Sequence, residues 1–277
     1  MRRFIRILLL VLLYVNIFYP AEVEVKEIFS EVMNKKIPAA VIIPQSYKIN
    51  KKPFSVIYLL HGFGGNYRNW LDLTSIEDYT DRYDIIIVCP EGGFDSWYFD
   101  SPEDPQSQYE THIAVEVVNF IDSNYRTNKS RYGRAITGLS MGGHGALFLA
   151  MRHKDTFGAA GSMSGGVDIR TSTKKFNISH KIGSIEDHPE RWDSLTVVNN
   201  ISKIKNAELA IITDCGVDDF FLDVNHDLHN KLIAAGVPHE YIERPGGHNW
   251  DYWGNAIKYQ LFFFNEFFNG MESEEKE

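Results

Sequence analysis

The chain has 277 residues, 44% of them apolar and 23% charged, with a formal net charge of −9. That balance excludes a disordered or fibrous protein, and the length suffices for a large buried core. The acidity, without any cluster of Lys and Arg, argues against nucleic acid as a partner, because phosphate binding needs such clusters.

Met1-Arg2-Arg3-Phe4-Ile5-Arg6 is a basic start, and Ile7 to Phe18 is apolar except for Tyr14 and Asn16. The run is short for a transmembrane span, and its charge-then-apolar order marks residues 1–21 as a secretory signal peptide. The expected product is secreted or periplasmic, with no stable membrane insertion after leader removal. The alternative is an uncleaved leader that anchors the protein. Residues 22–270 then form one catalytic domain, and 271–277 a charged, frayed tail.

Within the domain, Val23-Glu24-Val25 and Ala39–Ile43 read as an opening antiparallel pair of strands. Phe54–Leu60 and Asp84–Cys89 read as buried strands. Ile113, Val117 and Ile121 recur every four residues, one face of a helix between Tyr109 and Tyr125. Then come a strand at Ala135–Leu139, a helix at Met141–Met151 and a strand at Ala159–Met163. Ser164–Asn206 is a long polar insertion, of a kind that often shapes a binding site. A strand at Ala207–Thr213, a helix at Leu222–Ala235, a strand at Glu240–Glu243 and a helix at Trp253–Phe268 complete the series. Apolar strands alternating with helices predict an α/β fold: a mostly parallel twisted sheet with helices on both faces. Cys89 and Cys215 end apolar runs and read as free buried thiols, a disulfide being the alternative in an exported chain.

Gly138-Leu139-Ser140-Met141-Gly142 matches G-x-S-x-G between a strand and a helix, the context of a nucleophile elbow in an α/β-hydrolase fold. The turn is tight, so small residues must flank the serine at two positions on either side. No Lys follows the glycines, which excludes a phosphate-binding P-loop. Ester cleavage passes through an oxyanion that needs two backbone N–H donors. Met141, just after the nucleophile, supplies one. The glycine-rich loop His61-Gly62-Phe63-Gly64-Gly65 supplies the other at Phe63.

Of the 10 histidines, His248 lies after the last strand, in a glycine turn before the final helix, where the base of this fold belongs. His144 is too close to Ser140 along one helix and reads as structural, and His61 as a support of the oxyanion loop. The acid should follow the Ala207–Thr213 strand. Asp214, Asp218 and Asp219 are the candidates, and spacing does not separate Asp218 from Asp219. Asp218, Asp219, Asp223 and Asp227 lack calcium-loop spacing and read as a solvated face. No metal or cofactor is called for.

Leu60-His61-Gly62-Phe63-Gly64-Gly65, the run Gly138–Gly145, Gly216-Val217-Asp218-Asp219 and Gly246-Gly247-His248-Asn249-Trp250 together resemble the esterase D-like family. That family holds tributyrin, feruloyl and acetylxylan esterases, S-formylglutathione hydrolases and mycolyltransferases. Asp95-Ser96-Trp97-Tyr98 with Tyr109-Glu110 is most similar to the tributyrin and feruloyl esterase branch. The resemblance, which runs from about residue 24 to 268, implies Asp219 as the acid and supports Phe63 and Met141 as donors. The oxyanion loop lacks the cysteine usual in the formylglutathione hydrolases.

The expected enzyme is an exported serine carboxylesterase working through Ser140, His248 and Asp219. Its substrates would be small-molecule or carbohydrate esters with short acyl or feruloyl groups, some on plant polysaccharide. Trp97, Tyr98 and Trp250 are the aromatic candidates for substrate contact. The alternatives are an acyltransferase with a sugar acceptor, an S-formylglutathione hydrolase, and a carbohydrate-binding protein on a hydrolase scaffold.

Overall fold

The computed structural model describes residues 21–204 and 208–274; the leader reading therefore lies almost wholly outside the described residues. Among the described residues, eight strands form one sheet: β1 (Glu22–Ser30), β2 (Lys35–Ile43), β3 (Val56–Leu60), β4 (Ile86–Pro90), β5 (Arg134–Gly138), β6 (Ala159–Met163), β7 (Ala210–Gly216) and β8 (Glu240–Arg244). Their order is β1-β2-β4-β3-β5-β6-β7-β8. β1 runs antiparallel to β2 and β2 antiparallel to β4, while β4, β3, β5, β6, β7 and β8 run parallel to one another.

Parallel strands covered on both faces are mostly apolar, and β3, β4, β5 and β6 are buried at every position,. Successive residues serve opposite cores. Val56, Tyr58 and Leu60 pack with the Tyr109–Asn124, Met141–Arg152 and Leu222–Ala234 helices. Ile57 and Leu59 pack with the Ile76–Tyr83 and Trp250–Glu274 helices. Cys89 and Cys215 are both buried and unpaired.

The structure shifts several expected boundaries: β2 starts at Lys35 rather than Ala39, β3 at Val56 rather than Phe54, and β4 at Ile86 rather than Asp84. β7 starts three residues later than Ala207 and takes in Asp214, Cys215 and Gly216. The helix that opens at Tyr109 is continuous to Asn124 but π-helical over His112–Val117. The insertion is not irregular throughout: it carries short helices at Ile178–Ile182 and Pro189–Leu195. The last helix begins at Trp250 and runs to Glu274, into the expected tail. No helix among the described residues is long and apolar enough to cross a membrane.

Candidate active site

β5 ends at Gly138, and the chain turns through Leu139 and Ser140 into the Met141–Arg152 helix. Ser140 has φ 55° and ψ −116°, a conformation that costs a non-glycine residue about 1–3 kcal/mol. Backbone bonds hold it there. Ser140 N–H donates to Met163 O at 2.9 Å, while Ser140 O accepts from His144 N–H at 3.0 Å and Gly166 N–H at 3.3 Å. Gly142 makes the tight turn possible, since a Cβ there would stand 2.5 Å from His61 O and 2.8 Å from Leu60 O.

His248, between β8 and the last helix, places Nε2 2.9 Å from Ser140 Oγ. Its Nδ1 lies 2.8 Å and 3.1 Å from the two carboxylate oxygens of Asp219. A carboxylate only accepts, so Nδ1 carries the proton and Nε2 is left to accept from the hydroxyl. Asp219 is 5% exposed, and Phe221 N–H donates to its Oδ1 at 2.8 Å. Asp218 is exposed, its N–H bonded to Gly246 O at 2.9 Å. Asp214 lies inside β7, fully buried, and does not reach the imidazole loop.

In the glycine loop, Gly64 N–H donates to Phe94 O at 2.7 Å and Gly65 N–H to Gly62 O at 3.0 Å; in the elbow, Gly142 N–H donates to Leu139 O at 2.7 Å. Among the described residues, no acceptor takes the amides of Phe63 and Met141. His61 braces this loop: Gly92 N–H donates to its Nε2 at 2.8 Å, and its Nδ1 is 2.8 Å from Gly62 O. His144 lies under the elbow, fully buried, with Nε2 3.0 Å from Leu195 O and its ring stacked on Phe148. Burial pulls its pKa down to about 4,.

Ser140 and His248 open on a cleft of about 320 Å³ at the C-terminal ends of the strands, where ligands bind in open α/β sheets. Phe63, Phe176 and Phe220 form one connected wall, with ring centroids 5.6 Å and 6.4 Å apart. Trp250 and Trp253, 5.4 Å apart, form a second. No charged side chain other than the His248 imidazole, when protonated, lines the cleft among the described residues. Phe220 lies 4.3 Å from the His248 ring and is 62% exposed.

Trp250 lines the cleft, whereas Trp97 and Tyr98 do not. The expectation of substrate contact is corrected for these two: they are 1% and 0% exposed. They support the site from beneath. Trp97 Nε1–H donates to Phe176 O at 3.0 Å, and Tyr98 O–H donates to His61 O at 3.0 Å. Phe176 and Phe220 line the cleft and were not singled out in the sequence. Phe220 had a signal, since the neighbour of an inward acid tends to point outward; Phe176, in the polar insertion, had none.

The family described as "Putative esterase" matches residues 30–264. An acetyl esterase of Caldicellulosiruptor saccharolyticus is 28% identical over 221 residues, 76% of this chain and 82% of that protein. Esterase Rv1288 of Mycobacterium tuberculosis is 31% identical over 237 residues, 75% of this chain and 51% of its own length. Among solved structures, a ferulic acid esterase superposes with a TM-score of 0.77 at 31% identity, over 90% of this chain and 100% of that one.

Proposed function

Since the chain belongs to this esterase family, the esterase D-like group of α/β-hydrolases, and is a carboxylic ester hydrolase, we propose that Ser140, His248 and Asp219 are its catalytic triad. His248 takes the proton of Ser140 Oγ as that oxygen attacks the ester carbonyl. Asp219 holds the tautomer and stabilises the imidazolium. The amides of Phe63 and Met141 bind the oxyanion, each donor lowering the barrier by roughly 3 kcal/mol. His248 then gives its proton to the leaving alcohol, and a water activated by the same imidazole releases the acid. The observation that carries this reading is the 2.9 Å approach of His248 Nε2 to Ser140 Oγ, with Asp219 behind the ring.

The cleft supports a neutral ester with a short acyl or aromatic acyl group, such as feruloyl, because its walls are aromatic rings and carry no ion-pairing side chain,. The same feature disfavours S-formylglutathione, whose carboxylates would find no Lys or Arg there. Polysaccharide-borne esters and export remain part of the proposal. The basic and apolar residues 1–20 support a leader, and Ala21, which the sequence reading placed at the leader's end, is packed into the core at 6% exposure, which favours a cut one residue earlier. The intact mass of the secreted chain tests export.

Turnover of p-nitrophenyl acetate, methyl ferulate and acetylated xylan by the purified protein tests the substrate reading. The expected result is hydrolysis of at least the first two, abolished in Ser140→Ala. No turnover of any of them would overturn it. Product analysis with an added sugar acceptor separates hydrolysis from acyl transfer.

A further inference from the structure

Beneath the last helix, on the face of the sheet away from the elbow helix, a line of polar side chains crosses four strands. Thr137 of β5 donates its hydroxyl to Gln260 Oε1. Gln260 Nε2 donates to Ser162 O of β6 at 3.1 Å and to Asp214 Oδ2 of β7 at 2.9 Å. Arg244 of β8 brings Nη2 to 3.5 Å from the same carboxylate oxygen. Thr137, Asp214 and Gln260 are each 0% exposed. The Arg244 guanidinium is held over the Tyr259 ring at 4.1 Å, a favourable cation–π arrangement. Room for the amide is made at Gly161 of β6, where a Cβ would overlap Gln260 Oε1.

Each end of this line leads into the reaction centre. Thr137 precedes Ser140 on the strand that feeds the elbow. Asp214 lies on β7, which leads into the loop bearing Asp219, and Arg244 ends β8, just before the turn bearing His248. Gln260 belongs to the helix that starts just after His248. A buried charge pair and buried amide contribute little net stability over apolar residues of the same volume. What Thr137, Gln260 and Asp214 do is fix geometry, because displacing any of them breaks a hydrogen bond in low dielectric; Arg244, whose guanidinium nitrogens have no hydrogen-bond partner among the described residues, holds Asp214 by charge alone.

We propose that Thr137, Gln260, Asp214 and Arg244 are positioning residues of the active site: they lock the relative register of the strands that deliver Ser140, Asp219 and His248. The proposal rests on the reading of those three as the triad. None of the four residues lines the cleft, so loosening the line should slow the chemical step and leave substrate binding alone.

Thr137→Val removes one hydroxyl at nearly constant volume, Thr137→Ser keeps it, and Gln260→Leu cuts the line at its centre. Steady-state kinetics with p-nitrophenyl acetate, well below each variant's melting temperature, read the effect. Thr137→Val and Gln260→Leu should lower kcat roughly 10- to 100-fold with KM within about twofold, as expected for sub-ångström misplacement of reacting groups. Thr137→Ser should recover most of the loss. If both variants are folded and keep full kcat, with only the melting temperature lowered, the proposal is overturned. Should Gln260→Leu fail to fold, the Thr137 pair alone decides. Ser140→Ala, run alongside, must be inactive; activity there would overturn the triad reading instead.

Discussion

Phe220 and Trp97 are both large aromatics near Ser140, and they do opposite jobs. Phe220 is 62% exposed at the cleft and touches the His248 ring, whereas Trp97 is 1% exposed and carries Phe176 from below. Phe220→Ala should raise KM for methyl ferulate by roughly 3- to 10-fold, the loss of one aromatic contact of about 1 kcal/mol. It should leave p-nitrophenyl acetate and the melting temperature little changed. Trp97→Ala should destabilise the protein by about 3–5 kcal/mol through the cavity it leaves. Steady-state kinetics and denaturant melts on the two variants check both statements. Sequence placed Trp97 correctly beside the motif but could not give its direction. Trp97 and Tyr98 have φ of 53° and 61°, a backbone that L side chains seldom adopt, and this turns both rings into the core.

The elements carrying chemistry were the most legible, because their physical requirements are strict. A wholly apolar run must be a covered strand, and G-x-S-x-G between strand and helix leaves little freedom at Gly142. β7 was misplaced because Asp214 and Gly216 look like a loop; they remain in the strand since Asp214 finds buried partners in Gln260 and Arg244. The insertion was legible only as an interruption. Its hold on the site comes from contacts far apart in sequence. Lys181 Nζ lies 3.2 Å from Asp95 and 3.1 Å from Asp104, and Asn177 Nδ2 donates to Asp95 at 3.1 Å. These pairs fasten the segment bearing Phe176 to the loop after β4. Lys181→Met should therefore widen the cleft wall and raise KM for aromatic esters more than for acetate esters. Equal KM changes for the two ester classes would show that the pairs do not shape the wall.

At the scale of the whole molecule, the shared direction of β5, β7 and β8 brings residues 140, 219 and 248 together beyond the C-terminal ends of the strands, and a large buried interior sets the pH response. His144 is fully buried and its pKa is drawn down to about 4, against an ordinary value of 6.5. The unfolded chain thus binds more protons between these values. The stability from the neutral ring is complete above pH 6.5 and is lost as pH falls towards 4, up to about 3 kcal/mol. Asp214 acts in the opposite sense, since burial raises its carboxyl to about 6, and protonation there relieves a buried charge. The difference between wild type and His144→Phe isolates the first effect. Between pH 7 and 4.5 the wild-type melting temperature should fall more steeply than that of the variant, and parallel curves would contradict the assignment.

The central claim is that one hydroxyl, raised on a strained turn and facing His248, does the covalent chemistry. Mass spectrometry of the protein after reaction with a fluorophosphonate tests it most directly. A single adduct on the peptide containing Ser140, lost in Ser140→Ala and formed far more slowly in His248→Ala, is the predicted result. An adduct on any other residue, or ester turnover that survives in Ser140→Ala, would contradict it.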